Sequence, residues 1–592
     1  MTNLASNLNQ LEASELVRRV RQEELAYVFK HALVQDTAQE SLLKNDRKRL
    51  NLLVAQTLEN LYAEHLDEFA ARLFQHYDAA GDGERALQYA ERAGDAAMRV
   101  SAYAEAIAAY QRAYELARRR ADTSAQLIRL MTALGRAYEL APNYAAALAL
   151  YQQTRDEGRA RNDRALELAA LAQMSKVLAV VAMHYDPAQA MSIAQEALQL
   201  ARALNDQRSQ ARVLWVMLLM KLHRGIGAHQ GVVYGEEALA LTRALDWREQ
   251  MAYTLNDLSY AYLMLGEMNK VDACAAEARA LWRELDNKPM LTDNLNAAGM
   301  SLVLRGNYDA ALEAGREARA LSQTISNLWG ETSSYMVEGY VHLERGELAD
   351  ALADFQNCMR LGDPIGVLGP IMMARFEAAL IYSFCGAHER AEQMARDGLA
   401  RTRAQAVNWN GWAYAVLAIV AAARNDADAF MQATADLGDA PSEYYYERVM
   451  PPGAVAITLV RARAAQIVQR WDDAQTLLDY ALTRLGRSEY HLFVPVVLNE
   501  LARLQLAQGQ FDAAYATLRQ ADETARALEL RAARLEIAMT QMELARARQD
   551  ETARAAARAC GRARVDEFLP LMSDELRASF LQTARARIFR DA

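Results

Sequence analysis

The residue types used for phosphate, metal and nucleophilic chemistry occur in this chain, but not at the spacings those reactions need. The sequence contains no GxxxxGK[ST] segment and no Gly-Lys pair, so it lacks the glycine-rich loop and lysine that hold nucleotide phosphates. Its nine histidines include no HExxH pair, and its four cysteines form no CxxC. We therefore predict no catalytic residue, no metal site and no cofactor for this chain.

The best candidate for a contact surface is a group of aromatic side chains. Trp409 and Trp412 lie three residues apart, and Tyr444, Tyr445 and Tyr446 are consecutive just before a proline pair. Aromatic residues beside an irregular loop often form a recognition surface, which predicts binding of a protein or peptide partner here. Tryptophans at i, i+3 on a helix also suit a hydrophobic core, and the burial tendency of aromatic residues favours that alternative.

These residues belong to a chain that repeats one short sequence motif, which is called the phrase. Arg305–Leu312 reads RGNYDAAL, and its glycine recurs at a constant interval with a small or β-branched residue five places later. A fixed period of about 40 residues indicates a solenoid of stacked helix pairs. The repeated positions are Gly266, Gly306, Gly346 and Gly386, then Val271, Ala311, Ala351 and Ala391, with restatements at Trp471 and Ala474 and at Gly509, Phe511 and Ala514.

Each position of the phrase has a physical role. Glycine suits the turn between two antiparallel helices because it adopts positive φ without a Cβ clash. The hydrophobic residue two places later, Tyr308 in the clearest copy, should open the second helix and pack beneath the turn. The small residue, Ala311 in that copy, should lie where two helices cross closely.

Composition and charge restrict the function class. The chain has 592 residues, only 10 prolines and 27 glycines, and a net charge of -10. A helix-forming composition throughout indicates an all-α fold, and the negative charge argues against a general nucleic-acid binder. No signal-peptide pattern opens the chain, and no apolar run approaches membrane-spanning length, so we expect a cytoplasmic protein without membrane contact.

Two resemblances refine this interpretation. Leu134-Gly135, Tyr144 and Ala147 match the tetratricopeptide (TPR) pattern. Phe29–Ala38 resembles the winged-helix segment that follows the nucleotide-binding module in bacterial signal-transduction ATPases of the STAND class, which include maltose-regulator-type transcription regulators. The long repeat period also resembles that of the maltose-regulator type. These resemblances imply a right-handed TPR-like solenoid of about a dozen helix pairs, with a winged-helix remnant at its N-terminus.

The expected organisation has five segments. Residues 1–65 form the winged-helix-like remnant, 66–160 standard TPR units, 161–440 repeats of the longer period, 441–455 an irregular aromatic and proline loop, and 456–592 further repeats with a C-terminal cap. In residues 1–65 we expect an amphipathic helix that ends at Arg18-Arg19.

The resemblance implies a non-enzymatic interaction scaffold, the sensor arm of a signal-transduction ATPase or transcription regulator. Its partner would be a protein or peptide, together with a nucleotide-binding ATPase module supplied by another chain. In related ATPases a winged-helix histidine contacts the nucleotide, a role that His31 would take only with such a module. The alternatives are a TPR receptor for a peptide signal, a stand-alone adaptor, or an enzyme whose site has no known motif.

Overall fold

A computed structural model describes residues 4–21, 25–31, 33–34, 37–38, 41–120, 124–180, 187–223, 227–366, 368–404 and 409–590. The chain divides into two compact units, Met1–Val177 and Leu178–Ala592, which are called unit 1 and unit 2. Apart from one β-hairpin, the regular elements of the described residues are helices. The fold is an all-α solenoid of stacked helix pairs.

Unit 1 begins with a helix and a hairpin and continues as helices. Its elements are α1 (Leu4–Ala13), β1 (Val17–Arg21), β2 (Leu25–Phe29), α2 (Lys44–Leu61), α3 (Leu66–Ala80), α4 (Gly83–Arg99), α5 (Tyr103–Arg120), α6 (Ser124–Leu140), α7 (Tyr144–Arg161) and α8 (Arg164–Val180), the last of which crosses the unit boundary.

Unit 2 is helical throughout its described residues. Its helices are α9 (Pro187–Ala203), α10 (Gln207–His223), α11 (Ala228–Ala244), α12 (Arg248–Leu265), α13 (Met268–Glu284), α14 (Lys288–Leu304), α15 (Tyr308–Thr324), α16 (Leu328–Glu344), α17 (Leu348–Gly362), α18 (Leu368–Phe384), α19 (His388–Ala404), α20 (Asn410–Ala423), α21 (Ala427–Leu437), α22 (Ser442–Arg448), α23 (Pro451–Ile467), α24 (Trp471–Ser488), α25 (Val494–Ala507), α26 (Phe511–Ala527), α27 (Arg531–Ala547), α28 (Glu551–Phe568), α29 (Asp574–Phe580) and α30 (Ala584–Arg590).

The N-terminal segment contains a helix and a hairpin, but the helix is shorter than expected. Helix α1 ends at Ala13, and Arg18 and Arg19 lie in β1, where Arg19 pairs with Tyr27 of the antiparallel β2. The expectation that α1 ends at Arg18-Arg19 is therefore wrong. Glu15 has a left-handed backbone with φ 58°, which ends the helical path and turns the chain into the strand.

The turn within each helix pair follows the predicted glycine pattern. The five predicted glycines have left-handed backbones, with φ between 74° and 83°: Gly266, Gly306, Gly346, Gly386 and Gly509. The small residues of the phrase are buried in the helix crossings, and Ala311 has no exposed surface. Tyr308 is buried as well. Each of these positions thus has the conformation or the burial that its predicted role requires.

The turn between successive pairs has a different chemistry. Asp246, Asp286 and Ser326 recur at the same interval as the glycines and also adopt left-handed backbones, with φ of 46°, 49° and 54°. Short polar side chains tolerate this conformation because they can hydrogen-bond to the nearby backbone. This second series contains no glycine, and its left-handed turns were not predicted from the sequence.

The segment 441–455, expected to be an irregular loop, contains helix. Ser442–Arg448 forms α22, and α23 begins at Pro451. Proline interrupts a helix interior but suits the first helical position, where its missing N–H has no intrahelical partner to lose. The proline pair therefore starts a helix instead of preventing one.

The two halves of unit 2 stack on each other. A Cβ added to Gly266 would collide with Ser488, one on Gly306 would lie 2.8 Å from the Leu528 side chain, and one on Gly346 would lie 2.9 Å from Phe568. In each of these three contacts, the glycine and the residue that it meets are about five and a half repeats apart in the sequence. The solenoid of unit 2 thus returns to its own earlier repeats after residue 450.

Side chains of the later half cap helices of the earlier half. Arg484 donates to the carbonyl oxygen of Met264 at 3.0 Å, and Tyr490 donates to that of Leu263. Arg531 donates to the carbonyl oxygen of Arg345. The last carbonyls of a helix have no intrahelical partners, so these donors satisfy them and hold the two halves together.

Candidate functional site

The first helices of the repeats in unit 2 form a continuous inner layer. Helices α10, α12, α14, α16 and α18 each contact the next member of the series, whereas the second helices of neighbouring pairs have few contacts with each other. In a curved solenoid the helices on the side of smaller radius lie closest together. This side of unit 2 is therefore the concave one, and it is called the inner face.

The inner face carries a ladder of polar contacts between repeats. The Trp215 indole donates to Asp257 Oδ2 at 2.6 Å, which joins α10 to α12. Asn256 Nδ2 donates to Asp293 Oδ2 at 2.9 Å, and Asn294 Nδ2 donates to Asn256 Oδ1 at 3.2 Å. Asn256 and Asn294 are almost fully buried. These contacts fix the aspartates in position.

The ladder continues through the next two repeats. Ser334 Oγ donates to Asn296 Oδ1 at 3.0 Å, which joins α14 to α16. The Tyr340 hydroxyl donates to Glu377 Oε1 at 3.1 Å, which joins α16 to α18. Glu344 lies one helical turn after Tyr340, and its charge interacts with that of Glu377. Four carboxyl groups, from Asp257, Asp293, Glu344 and Glu377, thus lie along the inner face.

Burial favours the protonated form of both aspartates. It raises the pKa of Asp257 to about 7, and the nearby Asp293 charge contributes in the same direction against the Trp215 hydrogen bond. Burial also raises the pKa of Asp293, although hydrogen bonds from Asn256 and Trp329 lower it. A charged carboxylate loses hydration in these surroundings, so the neutral form is favoured.

The glutamates behave in the same way. Burial and the neighbouring Glu377 raise the pKa of Glu344 to about 8. Burial raises the pKa of Glu377 to about 7, and the hydrogen bond from Tyr340 opposes this effect. Among the described residues, no lysine, arginine or histidine forms an ion pair with any of the four inner-face carboxylates.

The later half of unit 2 provides a contrast, because its carboxylates have arginine partners. Arg463 Nη2 lies 2.9 Å from Glu500 Oε2, and Glu536 pairs with Arg585. Burial alone would raise the pKa of Glu536, but the charge and hydrogen bond of Arg585 bring it below the ordinary value. Arginines thus compensate Glu500 and Glu536, in contrast to the four inner-face carboxylates.

Aromatic rings border the carboxylates. The Tyr253 ring lies 5.6 Å from Trp215 and 4.8 Å from Trp282 between ring centroids. Trp329, which donates to Asp293, is 49% exposed. Carboxylates and aromatic faces both attract cations, so this surface suits a ligand with ammonium or guanidinium groups. Carboxyl groups with raised pKa values also serve as general acids and bases. Separately, the described residues include no group of three or more His, Cys, Asp or Glu side chains arranged to hold a metal ion.

The structure separates the predicted aromatic group into core and surface. Trp412 has no exposed surface and packs 5.2 Å from Phe376 between ring centroids. Tyr445 and Tyr446 are buried, so these three residues act in packing. Trp409 is half-buried, and Tyr444 is 36% exposed. Partner binding through Trp409 and Tyr444 stays a prediction.

The other predicted positions are structural. Ala147 is buried in α7, and a Cβ on Gly135 would collide with the Tyr151 ring, so the TPR-type residues mark close helix contacts. Tyr144 is half-buried at the start of α7. The small positions Ala351, Ala391, Ala474 and Ala514 have no exposed surface, while Trp471 and Phe511 are half-buried.

His31 is exposed directly after the hairpin, and its carbonyl oxygen accepts a hydrogen bond from Val34 N–H at 3.1 Å. Its nucleotide role stays a prediction that depends on a separate module. Across the described part of the chain, no helix is both long and apolar enough to cross a membrane.

Comparison with known proteins yields structural resemblances. No protein-family model and no curated protein matches the chain. Among solved structures, a STAND protein with a tetratricopeptide repeat sensor from Pyrococcus horikoshii is 18% identical with a TM-score of 0.34, and the match covers 57% of this chain and 55% of that one. This chain therefore matches little more than half of that protein.

Two further solved structures are similar over most of their own length. A Rap protein complexed with competence and sporulation factor is 12% identical with a TM-score of 0.47, covering 62% of this chain and 99% of that one. Yeast Tom70 is 13% identical with a TM-score of 0.31, covering 86% and 97%. All these TM-scores lie below 0.5, so these structures indicate no function for this chain.

Proposed function

We propose that this chain is a non-enzymatic protein-interaction scaffold, and that the inner face of unit 2 captures a protein or peptide through cationic side chains. The observation that carries the proposal is the row formed by Asp257, Asp293, Glu344 and Glu377, which have no cationic partner among the described residues. A ligand lysine or arginine would supply the missing charge and would shift these carboxyl groups to their ionised form.

The design of the inner face supports binding rather than a purely structural role. Buried carboxylates that serve stability alone are usually paired, because an unpaired charge is costly to bury. Glu500 and Glu536 in the later half follow that rule. The earlier repeats depart from it on one continuous surface, which is where a concave solenoid offers most contact area to an extended ligand.

A finer assignment follows from the sequence resemblance. We propose that the chain serves as the sensor arm of a STAND-type signal-transduction ATPase or regulator, in which ligand capture is communicated to a nucleotide-binding module. The resemblance of Phe29–Ala38 to the segment after such modules supports this assignment. A peptide receptor and a stand-alone adaptor use the same inner face, and they differ in whether an ATPase module responds to the ligand.

The direct test is a binding measurement with defined peptides. The probe is a fluorescein-labelled peptide of alternating Lys-Gly-Ser units, and its control is the matched Glu-Gly-Ser peptide, both followed by fluorescence anisotropy at low salt. We expect the lysine peptide to bind more tightly at pH 8 than at pH 6, because deprotonation of the inner-face carboxyls creates the charge that it recognises.

The variants localise the binding. Asp257→Asn combined with Asp293→Asn should weaken binding of the lysine peptide by about tenfold or more, the loss expected for charge-assisted contacts. Asp309→Asn is the matched control, since it removes a carboxylate from the exposed side of α15. Equal binding of both peptides, or equal weakening by the control variant, would contradict the proposed site.

A further inference from the structure

The outer side of α2 in unit 1 carries an exposed apolar stripe. Its five members are large aliphatic residues, of which four lie on α2 and the fifth, Leu43, directly precedes the helix. Their exposed fractions are 75% for Leu43, 41% for Leu50, 59% for Leu53, 40% for Val54 and 70% for Leu61. An apolar surface of this kind indicates a contact with another surface.

The opposite side of α2 is anchored to unit 1. Ala55 is fully buried, Asn51 Oδ1 lies 2.8 Å from His76 Nδ1, and Glu59 accepts a hydrogen bond from the Tyr89 hydroxyl at 2.5 Å. Residues at these i, i+4 positions share one face of a helix. The stripe therefore faces away from the helices that α2 contacts in unit 1. These contacts also prevent α2 from rotating to bury the stripe.

The stripe has an internal symmetry. Leu43 and Leu61 lie nine residues on either side of position 52, and Leu50 and Val54 lie two residues on either side of it. The spacings of seven, four and seven residues keep these side chains on one seam, as in coiled-coil helices. An antiparallel pairing with an identical helix would place Leu43 against the partner's Leu61 and Leu50 against the partner's Val54.

We propose that α2 is the seam of a homodimer in which two copies of this chain pair their α2 helices antiparallel about a two-fold axis near residue 52. Such an isologous contact requires a self-complementary surface, and the symmetric stripe provides one. Because a single helix pair of about 27 Å buries less area than a standard protein interface, we expect association in the micromolar range.

Charge favours the antiparallel orientation. The first turns of α2 carry Lys44, Arg47, Lys48 and Arg49 with one acidic residue among them, whereas Glu64 and Glu68 follow its C-terminal end. Antiparallel pairing brings the basic end of one copy towards the acidic end of the other, while parallel pairing would bring the two basic ends together. Complementary charges of this kind set the orientation of a complex.

The first experiment measures the mass of the full chain by sedimentation equilibrium between 1 and 100 μM. We expect the parent to shift from monomer to dimer, and Leu50→Glu, a change at the centre of the seam, to remain monomeric with unchanged helix content by circular dichroism. Val100→Glu is the matched control, since Val100 is 74% exposed in unit 1 but lies outside α2. A monomeric parent at 100 μM, or a dimer that persists in Leu50→Glu, would overturn the proposal.

The second experiment tests the orientation by disulfide cross-linking. Chains with Leu43→Cys and Leu61→Cys, each made in a Cys560→Ser background, are mixed and oxidised, because the three remaining native cysteines are buried. The antiparallel seam predicts a disulfide between the two different chains. Disulfides only between identical chains would contradict it, and would indicate a parallel pair or a different contact surface.

Discussion

Replacing Gly266 with alanine tests whether the two halves of unit 2 stack as described. Gly266 and Gly509 have the same backbone conformation, with φ of 76° in both. A Cβ on Gly266 would collide with the buried Ser488 of the later half, whereas nothing lies within 4 Å of a Cβ on Gly509. The pair of variants therefore separates the conformational cost from the cost of the contact between the halves.

The magnitudes follow from these two environments. Alanine in a left-handed conformation costs about 1 kcal/mol, so Gly509→Ala should lower the free energy of unfolding by about that amount. Gly266→Ala should cost an additional 1–3 kcal/mol or so, as for overpacking of a close contact. Removing the opposing side chain with Ser488→Gly should recover part of the additional cost in the double variant, as a coupling energy in a double-mutant cycle.

The assay is urea unfolding followed by tryptophan fluorescence. All seven tryptophans lie between Trp215 and Trp471, so the signal reports on unit 2. If Gly266→Ala and Gly509→Ala cost the same, or if Ser488→Gly fails to compensate Gly266→Ala, the two halves do not meet at this position.

Two further predictions concern buried polar groups. Glu377→Gln should stabilise unit 2 above pH 7 by up to about 3 kcal/mol and have little effect below pH 4.5. The reason is that the folded-state pKa of Glu377 is raised from 4.5 to about 7. Ionisation of the wild-type carboxyl therefore lowers the free energy of unfolding increasingly as the pH rises from 4.5 to 7. Urea midpoints at pH 4.5 and pH 8.5 measure the effect, and a pH-independent difference would show that the pKa is not raised. Tyr308→Ala should cost roughly 3–5 kcal/mol, whereas Tyr308→Phe should be neutral or stabilising because the buried Tyr308 hydroxyl has no hydrogen-bond partner. Equal thermal unfolding of the parent and Tyr308→Ala would contradict the predicted packing.

The repeat pattern could be predicted from the sequence because its determinants are local. A left-handed turn at Gly306 and a tight crossing at Ala311 each depend on residues within one helix pair, and the same needs recur in every repeat. The turns at Asp246 and Asp286 were not predicted, because aspartate occurs in many other contexts and only the backbone conformation reveals its role. The sequence did not show which members of the aromatic group are buried, since Trp409 and Trp412 are the same residue type three positions apart but differ in burial.

The carboxylates of the inner face could not be predicted from the pattern. Asp257, Asp293, Glu344 and Glu377 follow one another at unequal intervals in the sequence, so they match no repeat period. They share a surface only because successive helix pairs stack with their first helices on the concave side. Their raised pKa values depend on that shared burial, and no arginine of the described part of the chain forms an ion pair with them.

The amino-acid sequence was enough to predict a helical solenoid, the positions of its glycine turns and the small residues at its helix crossings, because turn conformation and helix crossing are set within a single repeat. The folded chain was needed to see that residues from distant repeats, such as Gly266 and Ser488, meet in unit 2. It was also needed to see that Asp257, Asp293, Glu344 and Glu377 line one face. Small rotations accumulate from repeat to repeat, and no single repeat determines their sum.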